Sequence, residues 1–97
     1  MRAYERLLKY ACVHTTSSEE MDTTPSTARQ FDLAKLLADE MKALGMSDVA
    51  ADEFCYVYGS LPASPGCESV PRLGFIAHMD TSPDFSGENV RPQIIED

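Results

Sequence analysis

Two residues of the 97-residue chain carry the chemistry that is easiest to name: His78 and Asp80, separated by Met79. In extended backbone the side chains of residues i and i+2 leave the same face, so the imidazole and the carboxylate can meet. A histidine that binds a metal usually gives its second ring N–H to a carboxylate, which fixes the tautomer and the orientation of the ring. The natural division of labour makes His78 the metal ligand, with Asp80 behind it. Spacing alone leaves a plainer alternative open, a strand end with a surface histidine and aspartate.

The elements around the pair follow from composition and periodicity. Leu73-Gly74-Phe75-Ile76-Ala77 is short and almost wholly apolar, which predicts a strand buried on both faces of a sheet covered by helices. Open α/β sheets bind ligands at the C-terminal ends of such strands. Leu7, Leu8, Ala11 and Cys12 make one apolar stripe and predict a helix over about 2–13. Thr24 as cap, Pro25 at the first helical position and Gly45 beyond Leu44 predict a second helix. Its inner positions are Phe31, Ala34, Leu37, Met41 and Leu44, and its solvated face carries the i,i+3 pairs Asp32/Lys35 and Asp39/Lys42. Branched and aromatic residues in 49–59 predict one or two strands. The proline-containing stretch 60–71 predicts a loop, and Gln93-Ile94-Ile95 the start of another element. This order predicts an α/β sandwich with too few strands to cover its own helices.

Composition narrows the function classes. With 43% hydrophobic and 25% charged residues, the chain is that of a globular domain, and its length allows one thin core. Sixteen acids against eight bases give a formal charge of -8, which disfavours nucleic acid and anionic membrane as partners. No apolar run reaches the ~20 residues of a spanning helix, and Lys9 and Tyr10 interrupt the stretch that a secretory signal would need. A cytoplasmic protein is expected. Cys12, Cys55 and Cys67 form an odd set without a C-x-x-C pair, the pattern of reduced structural thiols.

Other residues invite a role less strongly. His14, beside Cys12, sits at a helix end and reads as structural or surface. Asp84 is either a turn residue or a group near a metal. The hydroxyl-rich loop 15–24 either lines a cleft or is a solvated connector. Asp52 and Glu53 read as solvated groups ahead of a strand.

The stretch Gly74-Phe75-Ile76-Ala77-His78-Met79-Asp80-Thr81-Ser82-Pro83-Asp84 resembles the first metal-ligand motif of the M20 family of zinc metallopeptidases. His-x-Asp followed by Thr-Ser-Pro-Asp is most similar to the tripeptidase branch of that family. The resemblance extends to Asn89-Val90-Arg91-Pro92-Gln93-Ile94, to Pro25-Ser26-Thr27 and to Leu44-Gly45-Met46, and so covers essentially the whole chain. It implies a dinuclear zinc exopeptidase that removes the N-terminal residue from tripeptides, with residues 1–97 the N-terminal part of its catalytic domain. His78 then corresponds to a ligand of one zinc, and Asp80 to the catalytic acid that orients it. The remaining ligands and the general base are expected downstream, so the 97 residues alone are expected to be inactive and to bind zinc weakly. A different class stays open: a non-catalytic α/β module that pairs with a partner, or with itself, through an open sheet edge.

Overall fold

The computed structural model describes residues 1–96. Its elements are helix α1 (Ala3–Ala11), helix α2 (Gln30–Ala43), strand β1 (Ser47–Ala51) and strand β2 (Val57–Ser60). The two strands pair antiparallel, with Ala50 opposite Tyr58 and Ala51 opposite Val57. The ladder is irregular between Ser47 and Ala50, where Asp48 takes a positive φ. The fold is thus mixed α/β, two helices and a two-stranded sheet.

Helix α2 and the hairpin form the packed half. Ala34 is buried and Leu37 and Met41 half-buried, as the predicted stripe requires, and Leu33 and Ala38 are buried beside them. Phe31 and Leu44 belong to its exposed margin. A Cβ on Gly59 of β2 would stand 3.0 Å from the side chains of Met41 and Met46; glycine there lets the hairpin lie close on the helix. On the solvated side Lys35 pairs with Asp39 at 2.8 Å, the i,i+4 partner rather than the i,i+3 one expected. The helix ends as its sequence indicates. Gly45 (φ +81°) follows Leu44, and the amides of Gly45 and Met46 reach back to the carbonyls of Lys42 and Met41, closing the last turn.

The start of α2 differs from the expectation: regular helix begins at Gln30, not at Pro25. The hydroxyls of Ser26 and Thr27 are used elsewhere, Ser26 accepting from the Ser18 amide and Thr27 donating to the Thr16 carbonyl. The amides of Gln30, Phe31 and Asp32 instead bond to carbonyls three residues back, the tighter pattern common at helix ends.

Helix α1 matches its predicted span closely, but it buries no residue. Leu7 is 65% exposed and Cys12 is also exposed, while Leu8 and Ala11 are half-buried, so only half of the predicted apolar stripe is covered. The helix is tied to α2 by polar side chains. Arg6 and Lys9 donate to the Glu40 carboxylate at 3.0 and 2.8 Å, and the Tyr10 hydroxyl joins them.

The largest departure is the predicted buried strand. Residues 73–77 form no strand, and Leu73, Phe75 and Ile76 are 79, 90 and 102% exposed. A strand buried on both faces needs a neighbour on each edge and a layer above and below; the only described strands close on each other. Gln93-Ile94-Ile95 likewise starts no element among the described residues, and Asp97 lies outside them. The surface reflects both. A compact monomer of this mass exposes about 5,500 Å², whereas this chain exposes 8057 Å². Its radius of gyration is 16.0 Å, against about 12.5 Å for a compact domain of this length. The α/β sandwich expected from the element order is therefore represented here by one helix and a hairpin.

Candidate metal centre

His78 and Asp80 do meet: His78 Nδ1 lies 3.0 Å from Asp80 Oδ1. A carboxylate only accepts, so Nδ1 carries the proton; in the neutral ring with this tautomer Nε2 has the lone pair. The imidazole is 83% exposed and the Asp80 side chain 39%, leaving Nε2 accessible. Met79 completes the alternation, for its sulfur sits 3.9 Å from Cys55 Sγ. Cys55 is buried, 4% exposed, at the hairpin turn. The turn itself is set by Asp52, whose Oδ1 accepts from the amides of Phe54 and Tyr56 at 3.0 and 2.9 Å. Asp52 is thus a turn-former rather than a plain solvated acid. Burial, and then the charge of Asp52, push the Cys55 thiol up from its ordinary value, which leaves it protonated and unreactive at neutral pH.

The far side of the pair is held by the hydroxyl-rich loop. Thr16 and Thr81 form an isolated parallel bridge. The Thr81 amide donates to the Thr15 carbonyl at 3.2 Å, and the Thr81 carbonyl accepts from the Ser17 amide at 2.9 Å. Thr15 and Thr16 are buried, while 19–24 are exposed. The first part of the loop is an internal strut, which neither sequence alternative described. Sequence reasoning missed both attachments, Met79 to Cys55 and Thr16 to Thr81. A run of hydroxyls beside a helix end was the one hint of the second, and nothing in the sequence pointed to the first.

Two further candidates resolve. Arg29 Nη1 lies 2.7 Å from His14 Nε2; a guanidinium only donates, so that lone pair is occupied. His14 is a partner of Arg29, in line with the structural reading. Asp84 is a turn residue: its Oδ2 accepts from the Ser82 hydroxyl at 3.1 Å, and its amide donates back to that oxygen.

The donor set fits part of a metal site. Zinc is ordinarily held by three or four protein groups, and no cluster of three or more His, Cys, Asp or Glu that could hold a metal occurs among the described residues. His78 with Asp80 behind it supplies one nitrogen. No helix among the described residues is long and apolar enough to cross a membrane.

No family model matches the chain. Among curated proteins, the chain is similar over nearly all its length to a set that carries the name of a peptidase class. The name is peptidase T. The protein so named from Alkaliphilus oremlandii is 53% identical over 93 residues, 95% of this chain and 23% of its own length. Those from Desulfitobacterium hafniense (strain Y51) and Geobacillus sp. (strain WCH70) are 54% and 51% identical over 92 residues, 95% of this chain and 22% of theirs. The chain is therefore similar over nearly all its length to proteins named peptidase T, and spans under a quarter of the length of those relatives.

Proposed function

We propose that residues 1–97 are the N-terminal part of the catalytic domain of a cytoplasmic zinc aminotripeptidase, and that His78 and Asp80 belong to its metal centre. The observation that carries the reading is the 3.0 Å contact between His78 Nδ1 and Asp80 Oδ1, in a chain half-identical to proteins named peptidase T. The contact is the arrangement in which an imidazole offers Nε2 to a metal while a carboxylate fixes its tautomer.

In this reading His78 holds one of two zinc ions through Nε2. Asp80 accepts the Nδ1 proton, keeps the ring from turning and raises the basicity of the coordinating nitrogen. When bound, the metals supply a polarised peptide carbonyl and a water of lowered pKa. The proton that such a water loses needs a positioned carboxylate as base. With the other ligands and that base supplied by the rest of the catalytic domain, the 97 residues alone do not hydrolyse peptides.

Isothermal titration with zinc tests the reading. The expected result is weak uptake, with a Kd above about 1 μM because one nitrogen replaces the usual three protein ligands, abolished in His78→Ala. Uptake unchanged in that variant sinks the assignment of His78. Stoichiometric sub-micromolar binding that His78→Ala removes would show instead that the chain holds a nearly complete site.

A second reading rests on the exposure of Leu73, Phe75 and Ile76: a non-catalytic module that self-associates through this segment. Size-exclusion chromatography separates the two, since a clean monomer across a wide concentration range removes the module.

A further inference from the structure

We propose that Thr16 is a positioning residue for the His78–Asp80 pair, acting through Thr81 and Gly87; the inference deepens the reading of that pair as a metal centre. Asp80 is followed directly by Thr81, whose amide and carbonyl are both taken by the segment 15–17. The Ser17 hydroxyl adds a third bond, donating to the Thr81 carbonyl at 3.0 Å. The backbone leaving Asp80 is thereby fixed in direction. Ahead of Asp80, the Met79 contact with Cys55 is what secures the chain among the described residues, where 73–78 are exposed.

Thr16 is where these restraints converge. Its carbonyl accepts from the Thr27 hydroxyl at 2.9 Å, which ties it to the lead-in of α2. Its own Oγ1 accepts from the Gly87 amide at 2.8 Å, drawing the chain beyond Asp84 back over the bridge. Thr16 is 8% exposed, so water does not readily replace that hydroxyl. Gly87 fits for a complementary reason: a Cβ there would stand 2.8 Å from Thr16 Oγ1 and 3.1 Å from Thr81 Oγ1. The two residues form a lock that admits a hydroxyl on one side and no side chain on the other.

Valine at 16 keeps the shape and removes the acceptor; serine keeps the acceptor. In the isotopically labelled, metal-free chain at pH about 8, where an ordinary imidazole is neutral, two NMR readouts apply. Amide exchange at Ser17, Thr81 and Gly87 is expected to rise about tenfold in Thr16→Val, the equivalent of one lost hydrogen bond. Exchange at Tyr56, in the hairpin turn, stays as it was. The ring nitrogen shifts of His78 are expected to move from the Nδ1–H form toward the mixture of free histidine. Thr16→Ser restores both, and Gly87→Ala reproduces the valine variant. Unchanged His78 ring shifts in Thr16→Val overturn the proposal, whatever the amides do, because Thr16 is then only a structural tie. Zinc added afterwards tests the metal reading separately: absence of any zinc response at His78 in the wild-type chain counts against the metalloenzyme and leaves the lock intact.

Discussion

Residues 30–60 and residues 61–96 have comparable lengths and both carry large apolar side chains, more densely in the first set, yet only the first set folds upon itself. Helix α2 is followed at once by a hairpin whose turn is closed by Asp52 and whose strands lie on the helix. Every partner is close in sequence, so the entropy of closing the loops is small. The second set contains the most apolar run in the chain, 73–77, and leaves it in solvent. The difference shows that apolar content does not by itself bury a segment. An amphipathic helix finds its cover in the hairpin that follows it, whereas a short apolar run can be buried on both faces only with neighbours on each side.

The strongest way to break this comparison is to offer 73–77 the neighbours that a buried strand needs. If the chain is extended with the sequence that follows in its relatives, amide exchange at Phe75, Ile76 and Ala77 is expected to slow by about a thousandfold or more, as for core strands. In the 97-residue chain these amides are expected to exchange near the rate of an unfolded peptide. Equal exchange in both would mean that 73–77 is a loop in its own right.

Point substitutions sharpen the same contrast. Leu33→Ala in α2 is expected to cost about 2 kcal/mol, the low end for a buried leucine because the core is shallow. Ile76→Ser is expected to change stability by less than about 0.5 kcal/mol and to raise solubility by removing an exposed apolar side chain. Urea denaturation followed by far-ultraviolet circular dichroism measures both. A cost at Ile76 as large as that at Leu33 would place 73–77 in a packed core.

The parts of the fold legible in the sequence are those whose causes are local. The periodicity of α1 marks its span to within two residues, the aromatics of 54–58 point to the hairpin, and Gly45 marks the end of α2. The start of α2 is not legible, because Ser26 and Thr27 look like helix-capping residues but spend their hydroxyls on Ser18 and Thr16. The candidate site divides in the same way. The meeting of His78 with Asp80 follows from a two-residue period. Its supports do not, since Met79 reaches Cys55 and Thr81 reaches Thr15 across long separations that no local pattern encodes.

Gly45→Ala tests the local side of that division. Gly45 has a φ of +81° and nothing within 4 Å of where a Cβ would stand, so the cost is conformational alone. About 1 kcal/mol is expected, read as a lower thermal midpoint with an unchanged helical spectrum at low temperature. A neutral result would mean that the last turn of α2 is held by the hairpin and not by its own closure.

The smallest effect concerns α1, which belongs to neither set and is joined to α2 through one carboxylate. Hydrogen bonds from Lys9 and Tyr10, with the charges of Lys9 and Arg6, hold Glu40 below the usual range for a glutamate against a modest burial penalty. Because the folded-state value is depressed, the contribution is complete above the ordinary glutamate range and is lost as pH falls through the lower folded value. Glu40→Gln removes it at every pH. The expected cost is up to about 1 kcal/mol, since Arg6 and Lys9 remain partly solvated. The loss should be confined to α1: its amides exchange faster while those of α2 and the hairpin keep their rates. Acidification from neutral pH to below the ordinary glutamate range should reproduce that pattern in the wild-type chain and add little in the Glu40→Gln variant. An equal acid response in both would assign the attachment of α1 to groups other than Glu40.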